Sequence, residues 1–143
     1  MSITTTTHLN FRGQARAALD HYAAVFGGEV VASTFAQGGD DQDTADGAVA
    51  EQLKWGGVQA PSGFAVMAYD VPPRRPHDPG TDAVYVSVRG DDPEEVTRCW
   101  AGLAQGGTVR TPLGPAGYSP LSGMVTDRFG VTWVLDVVAP PTR

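Results

Sequence analysis

The spacing of hydrophobic and polar residues changes several times along the first half of the chain. Threonine-rich residues 3–11 favour a strand, and residues 14–26 then repeat apolar side chains every three or four positions, as an amphipathic helix does. The Gly27-Gly28 pair predicts the end of that helix, because glycine adopts the backbone conformation that follows a helix C-terminus. Three more strands are predicted in this half, with Gly56-Gly57 as the turn between the last two: residues 29–35, 48–55 and 63–69.

The second half of the chain repeats this order of elements. Residues 83–88 favour a strand, and Asp91–Glu95 then begins a helix with a capping acid, a proline and two acids in the first turn. Gly106-Gly107 ends the helix, and residues 108–113 favour another strand. The apolar stripe of the helix comprises Val96, Cys99, Trp100 and Leu103.

The C-terminal stretch GMVTDRFGVTWVLDV, residues 123–137, predicts a β-hairpin that closes a sheet. Gly130 supplies the positive φ that such a turn often needs, and Asp127 is expected to cap the turn through backbone N–H groups. An alternative interpretation makes Asp127 and Arg128 a charged pair at the mouth of a cavity. The Gly- and Pro-rich residues 114–120, which precede the hairpin, predict a loop.

The two halves form an internal repeat. Their helix-ending glycine pairs lie at 27 and 106, and 106 − 27 = 79. Each half is predicted to run strand–helix–strand–strand–strand, so the sequence predicts an α+β fold of two βαβββ modules. The expected division of a single domain over residues 1–143 is a first module (1–70), a Pro-rich connector (71–81) and a second module (82–139).

Composition and charge exclude several classes of protein. The net charge of −6 argues against a nucleic-acid binder, because phosphate contacts need a basic surface. The single cysteine forms no disulfide within the chain, and no apolar run approaches the roughly 20 residues that cross a bilayer. The expectation is a cytoplasmic protein without a nucleic-acid or membrane partner.

Two motifs resemble the vicinal-oxygen-chelate superfamily (glyoxalase, bleomycin-resistance and dioxygenase relatives), and within it the PhnB-like group, also labelled 3-demethylubiquinone methyltransferase-like. The opening motif comprises Leu9-Asn10-Phe11, Gly13, Tyr22 and Phe26-Gly27-Gly28. The closing motif comprises Gly123-Met124, Thr126–Val131 and Trp133. The resemblance implies that the two modules form a cupped mixed sheet around a small-molecule cavity, in a homodimer. It does not fix the function, since the superfamily includes metal-dependent enzymes and metal-free drug binders.

The resemblance also places divalent-metal ligands at positions on the strands. The position on the first strand falls on His8, whose alternative role is that of a hydrogen-bonded strand histidine. The position on the third strand falls on Ala50 or Glu51, and a shift of one residue decides which of the two faces the cavity.

The remaining ligand positions of the family lie in the second half. One falls near Ala83 and Tyr85, neither of which is a good metal ligand, and the last falls on Val134, with Asp136 two residues further along the same face. A complete metal site is therefore expected to be absent, and no cofactor is predicted. If a divalent metal is held, the ligands expected are His8, Glu51 and Asp136.

Other catalytic motifs are missing from the sequence. No Gly-rich strand–turn–helix motif for a methyl donor is present, so the methyltransferase label has no support in the residues. Cys99 lies on the apolar stripe of its helix and is expected to be a core residue rather than a nucleophile. The candidates for an aromatic-lined pocket are Trp55, Tyr69, Tyr85 and Tyr118.

The preferred functional hypothesis is a metal-free, homodimeric small-molecule binding protein. The candidate ligand-binding residues are His8, Asn10, Glu51, Trp55, Tyr85 and Asp136. The alternative is a divalent-metal-dependent lyase, isomerase or dioxygenase-type enzyme acting on a small oxygenated substrate, with Glu51 or Asp136 transferring the proton. A third hypothesis makes the acidic loop, residues 38–46, the interface for a regulatory partner.

Overall fold

A computed structural model of the protein describes residues 2–39 and 47–138. The chain divides into two units, Met1–Pro79 and Gly80–Arg143. Each unit contains a four-stranded mixed β-sheet and one helix of 12 residues that packs on it. The predicted α+β fold of two βαβββ modules is therefore confirmed. Within the described residues, no helix is long and apolar enough to span a membrane.

The first unit contains four strands and two helices. In chain order they are β1 (Thr7–Phe11), α1 (Ala15–Phe26), β2 (Glu29–Thr34), α2 (Gly47–Ala50), β3 (Leu53–Gln59) and β4 (Ala65–Asp70). The strand order is β1-β4-β3-β2, in which β1 and β4 are parallel and the other neighbours are antiparallel.

The second unit repeats the arrangement. Its elements are β5 (Val86–Gly90), α3 (Pro93–Ala104), β6 (Thr108–Ala116), β7 (Ser119–Thr126) and β8 (Thr132–Val137). The strand order β5-β8-β7-β6, with β5 parallel to β8, matches that of the first sheet.

Each helix covers one face of its own sheet and forms a core there. Leu19 and Tyr22 of α1 are fully buried, as is Leu103 of α3. The packing depends on glycines in the sheets, since a Cβ atom at Gly56 would lie 2.6 Å from Cδ1 of Leu19. Gly123 has the equivalent role in the second unit, where its Cβ would meet the Trp100 ring at 2.8 Å.

The two sheets have the same strand pairing, so each residue of the first sheet has an equivalent in the second. The difference in residue number between equivalents takes two values. Phe11 pairs with Asp70 in the first sheet, and Gly90 pairs with Val137 in the second. The offset is therefore 79 for the first strands (90 − 11) but 67 for the last strands (137 − 70). The difference, 79 − 67 = 12 residues, is extra chain between β2 and β3 of the first unit.

Two predictions about the third strand are wrong. Residues 48–55 were expected to form it, but Gly47–Ala50 is a short helix and the strand is Leu53–Gln59. Gly56-Gly57, the expected turn, lies inside this strand. The sequence pattern failed there because Gly56 serves close packing of the sheet against α1 rather than chain reversal. The predicted acidic loop lies mostly outside the described residues.

The expected loop over residues 114–120 is also wrong, because β6 continues to Ala116 and β7 begins at Ser119. Pro115 is tolerated because β6 is an outer strand whose pairing with β7 is interrupted by register shifts, and Pro120 precedes the part of β7 that pairs with β8. The other predicted strands and both long helices are present, with some ends displaced.

Two buried carboxylates fix the ends of elements. The predicted turn cap is confirmed: Oδ1 of Asp127 accepts hydrogen bonds from the N–H groups of Phe129 and Val131, at 2.9 and 3.0 Å. Its Oδ2 accepts a third from Nε1 of the fully buried Trp133 at 2.9 Å. Asp70, which the sequence did not single out, is 2% exposed and also accepts three backbone N–H groups.

Candidate functional site

The first sheet has one face under α1 and an opposite face that no described element of its own unit covers. Because strands alternate their side chains and pair in register, residues on this open face form rows that cross the sheet. The central row is His8, Met67, Gly57 and Val31. The rows on either side are Asn10, Tyr69, Trp55 and Ser33, and Thr6, Ala65, Gln59 and Glu29.

A groove of about 620 Å³ lies on this open face. The side chains and backbone that shape it include Glu29, Val31, Trp55, Gly57, Gln59 and Met67. The Trp55 side chain is 44% exposed, which is unusual for the largest apolar side chain and leaves one indole surface available for contact. Gly57 has no side chain, so the middle of the central row is a gap between Val31 and Met67.

Three polar or aromatic side chains meet at the β1 end of the same face. The imidazole of His8 packs edge-on against the Tyr69 ring with centroids 5.1 Å apart. Its Nδ1 is hydrogen-bonded to Oδ1 of Asn10 at 3.0 Å. These contacts match the alternative role expected for His8, that of a hydrogen-bonded strand histidine.

The second sheet carries a polar chain of contacts on its open face. The Ser122 hydroxyl donates a hydrogen bond to Oδ1 of Asp136, and the Tyr118 hydroxyl lies 2.8 Å from Oγ of Ser122. Nε of Arg89 lies 3.9 Å from Oδ2 of Asp136, which is 5% exposed. In the superposed registers, Arg89, Asp136 and Ser122 occupy the positions of Asn10, Tyr69 and Trp55.

A second contact in this unit joins the outer strand β6 to the segment that precedes β5. The guanidinium of Arg110 on β6 makes a two-point ion pair with Asp82, at 2.6 and 2.8 Å, and lies 5.9 Å from the centre of the Tyr85 ring. These hydrogen bonds lower the pKa of Asp82 below its usual range. Burial raises the pKa of the Cys99 thiol on α3, consistent with the expected core role rather than a nucleophile.

The structure groups the predicted site residues by unit. It brings His8, Asn10 and Trp55 to one open face, whereas Tyr85 and Asp136 lie in the second unit with contacts of their own. The strand position predicted for Glu51 is wrong: this residue is exposed in the turn before β3, because β3 begins two residues later.

Sequence reasoning named Trp55 but missed other residues of the groove, among them Glu29, Val31, Gln59 and Met67. Three of these lie in correctly predicted strands, but the misplaced third strand hid Gln59. The internal repeat held a signal that could have corrected it, since aligning Gly56-Gly57-Val58 with Gly123-Met124-Val125 places the third strand at the observed residues (123 − 56 = 67).

The metal-donor side chains that the structure describes are spread apart within each unit. Among the described residues, no three His, Cys, Asp or Glu side chains lie close enough to share an ion. On the first open face, His8 and Glu29 are on opposite outer strands, about 14 Å apart across three strand spacings. In the second unit, Asp136 faces the cationic Arg89, which opposes a second positive charge.

The family follows from the whole length of the chain. Residues 7–135 match the model of the Glyoxalase/Bleomycin resistance protein/Dioxygenase superfamily. The chain belongs to this superfamily. The match spans both units and therefore agrees with the two-module architecture. A search of curated proteins finds no match.

Solved structures of this superfamily's fold agree with that assignment. Protein PA1353 from Pseudomonas aeruginosa is 32% identical, with a TM-score of 0.80, over 96% of this chain and 98% of that one. The PhnB protein from Bacillus cereus is 25% identical, with a TM-score of 0.76, over 95% and 100%. A glyoxylase/bleomycin resistance protein/dioxygenase domain from Frankia is 13% identical over 99% and 96%, and its TM-score of 0.63 shows the fold alone.

Proposed function

We propose that this glyoxalase-superfamily chain is a small-molecule binding protein that binds its ligand, without a metal, on the open face of the first sheet. The observation that carries the proposal is the groove of about 620 Å³ beside the half-exposed Trp55. Its volume lies in the range of sites for drug-sized ligands, and its lining is mainly apolar with a few polar groups, as in such sites.

The residues that line the groove suit the binding of a ligand rather than its catalytic conversion. Among the described residues its lining includes no histidine, cysteine or serine, and the His8 imidazole lies outside it, in contact with Asn10 and Tyr69. A planar ligand would cover the exposed Trp55 ring, fill the gap over Gly57 and contact Met67. Removing these apolar surfaces from water supplies the free energy of binding at about 25 cal/mol per Å² before the costs of association.

The first test is a ligand screen of the full chain by thermal shift and calorimetry, using metabolites and planar drugs with a chelator present. For any ligand found, Trp55→Ala is expected to weaken affinity about tenfold or more, because a buried aromatic anchor dominates such sites. The control is Val109→Ala, which trims another half-exposed apolar side chain in the second unit. Equal affinity of Trp55→Ala and the control variant for every ligand would contradict the groove as the site.

The same screen separates binding from the metal-dependent enzyme. Repeating it with added manganese, nickel or zinc in place of the chelator measures any contribution of a metal. The proposal expects ligand affinity to be the same in both conditions. Binding that occurs only with a metal, and that His8→Ala abolishes together with the bound metal, would favour the enzyme instead.

We also propose that the protein is a homodimer. In the described part of the chain each sheet has two outer strands that pair on one side only, and apolar side chains such as Val84, just before β5, remain exposed. Pairing of two chains covers such edges and surfaces. Light scattering at micromolar concentration is expected to give the mass of two chains, and the mass of one chain would contradict the proposal.

A further inference from the structure

The charge of the groove sets the kind of ligand it can accept. Glu29 is the one charged residue among those that line the groove in the described part of the chain. Lys54, in β3, lies outside the lining of the groove. Its ammonium group is 3.4 Å from the carbonyl oxygen of Gly38. Arg12 lies beyond β1 and donates to carbonyls of the connector, at Val71 and Arg75.

We infer that the groove selects a planar aromatic ligand that carries a positive charge, such as an aryl-alkyl amine. This inference rests on the proposed function and specifies its ligand. The Glu29 carboxylate attracts a cation, and the exposed face of the Trp55 indole is a surface on which a planar aromatic body can stack. An anionic ligand would meet a carboxylate with no compensating cation in the lining.

The spacing of the two groups indicates the shape of the ligand. Glu29 pairs with Gln59 across the sheet, and Trp55 lies four residues before Gln59 in β3. Four residues of strand correspond to about 13 Å. A two-ring planar body over Trp55 and Met67, with a short aminoalkyl arm directed to Glu29, spans this distance once the Glu29 side chain turns towards it.

The test uses three probes of similar shape and different charge. They are naphthylethylamine, which is cationic, naphthylethanol, which is neutral, and naphthaleneacetate, which is anionic. Calorimetry on the full chain is expected to show the amine binding about two- to fivefold more tightly than the alcohol, with the acetate weakest, in keeping with a partly exposed ion pair. The preference is expected to shrink at high salt, because salt screens exposed charges.

Glu29→Gln removes the charge with little change of shape, and it is expected to bring the amine to the affinity of the alcohol while the alcohol's own affinity stays unchanged. The matched control is Asp20→Asn, which removes one exposed acid from α1 on the covered side of the sheet. It alters net charge equally and is expected to keep the preference for the amine.

The outcomes separate this inference from the proposed function. Equal binding of all three probes, or an amine preference that Glu29→Gln leaves intact, overturns the inference and leaves a binding groove in place. Failure of all three probes to bind, in a protein that also binds nothing in the wider screen, overturns both. A preference lost equally in Asp20→Asn identifies overall charge as its cause and overturns the role of Glu29.

Discussion

Replacing Asp70 with alanine is expected to lower the free energy of unfolding by about 4 kcal/mol. Helix α1 has no local side-chain cap, since Gln14 makes no such hydrogen bond. Asp70, at the end of β4, caps this helix instead. Its Oδ1 accepts hydrogen bonds from the N–H groups of Gly13 and Ala15 at 2.7 and 3.1 Å. Its Oδ2 accepts from the N–H of Leu53, the first residue of β3, at 2.9 Å.

The size of the effect follows from burial. Loss of a helix cap costs about 1 kcal/mol, and each buried donor left without a partner costs about 1–3 kcal/mol. Alanine at 70 removes the acceptor of all three donors, and two of them, the N–H groups of Ala15 and Leu53, lie in buried hydrogen bonds. Urea denaturation of the intact chain, followed by circular dichroism, measures the change.

The second unit provides a matched comparison. Asp92 caps α3 locally by accepting from the N–H of Glu94 at 3.0 Å in an exposed position. Asp92→Ala is therefore expected to cost only about 1 kcal/mol. Asp70→Asn, which keeps one acceptor oxygen, is expected to fall between the two alanine variants. Equal losses for Asp70→Ala and Asp92→Ala would show that the long-range cap has no special importance.

Replacing Gly57 with leucine is expected to weaken ligand binding on the first open face about 100-fold or more while the protein stays folded. Gly57 forms the gap in the central row, and a leucine side chain there occupies the space over which a planar ligand lies. The new Cβ would lie 3.2 Å from the Val66 carbonyl oxygen, which calls for a shift of only a few tenths of an ångström. Calorimetry with the naphthyl probes measures the loss.

The neighbouring glycine is the control for Gly57→Leu. Gly56 faces α1, where a Cβ atom would lie 2.6 Å from Leu19 and 3.2 Å from Leu53. Gly56→Ala is expected to lower the free energy of unfolding by about 2 kcal/mol, as overpacking of a core does, and to leave probe affinity near that of the wild type. Unchanged probe affinity in a folded Gly57→Leu variant would place the ligand elsewhere.

The sequence was sufficient where the interaction is local. Asp127 and the turn it caps are separated by four residues or fewer, so the pattern of the C-terminal hairpin predicted this contact correctly. Asp70 contacts groups that are 57, 55 and 17 residues away, and no local pattern indicates such pairing. The family resemblance likewise predicted the fold, because its motifs lie in β1, α1, β7 and β8.

The candidate site was harder to predict because one strand carries much of it. A glycine pair favours a turn when only its neighbours are considered, but here it lies within β3. The face to which each side chain of β3 points depends on its register, and an error of position moved Glu51 into the site and left Gln59 outside it. Pairing with β2 and β4, which is a tertiary property, settles that register.

The superposed registers have a consequence for how the two sheets can vary. The helix-covered faces of both sheets each enclose a close-packed interior, so substitutions there are constrained in both units. The opposite faces differ at equivalent positions, with Trp55 and Tyr69 in the first unit and Ser122 and Asp136 in the second. One scaffold used twice in a chain thus presents an aromatic surface and a polar surface that can be altered separately.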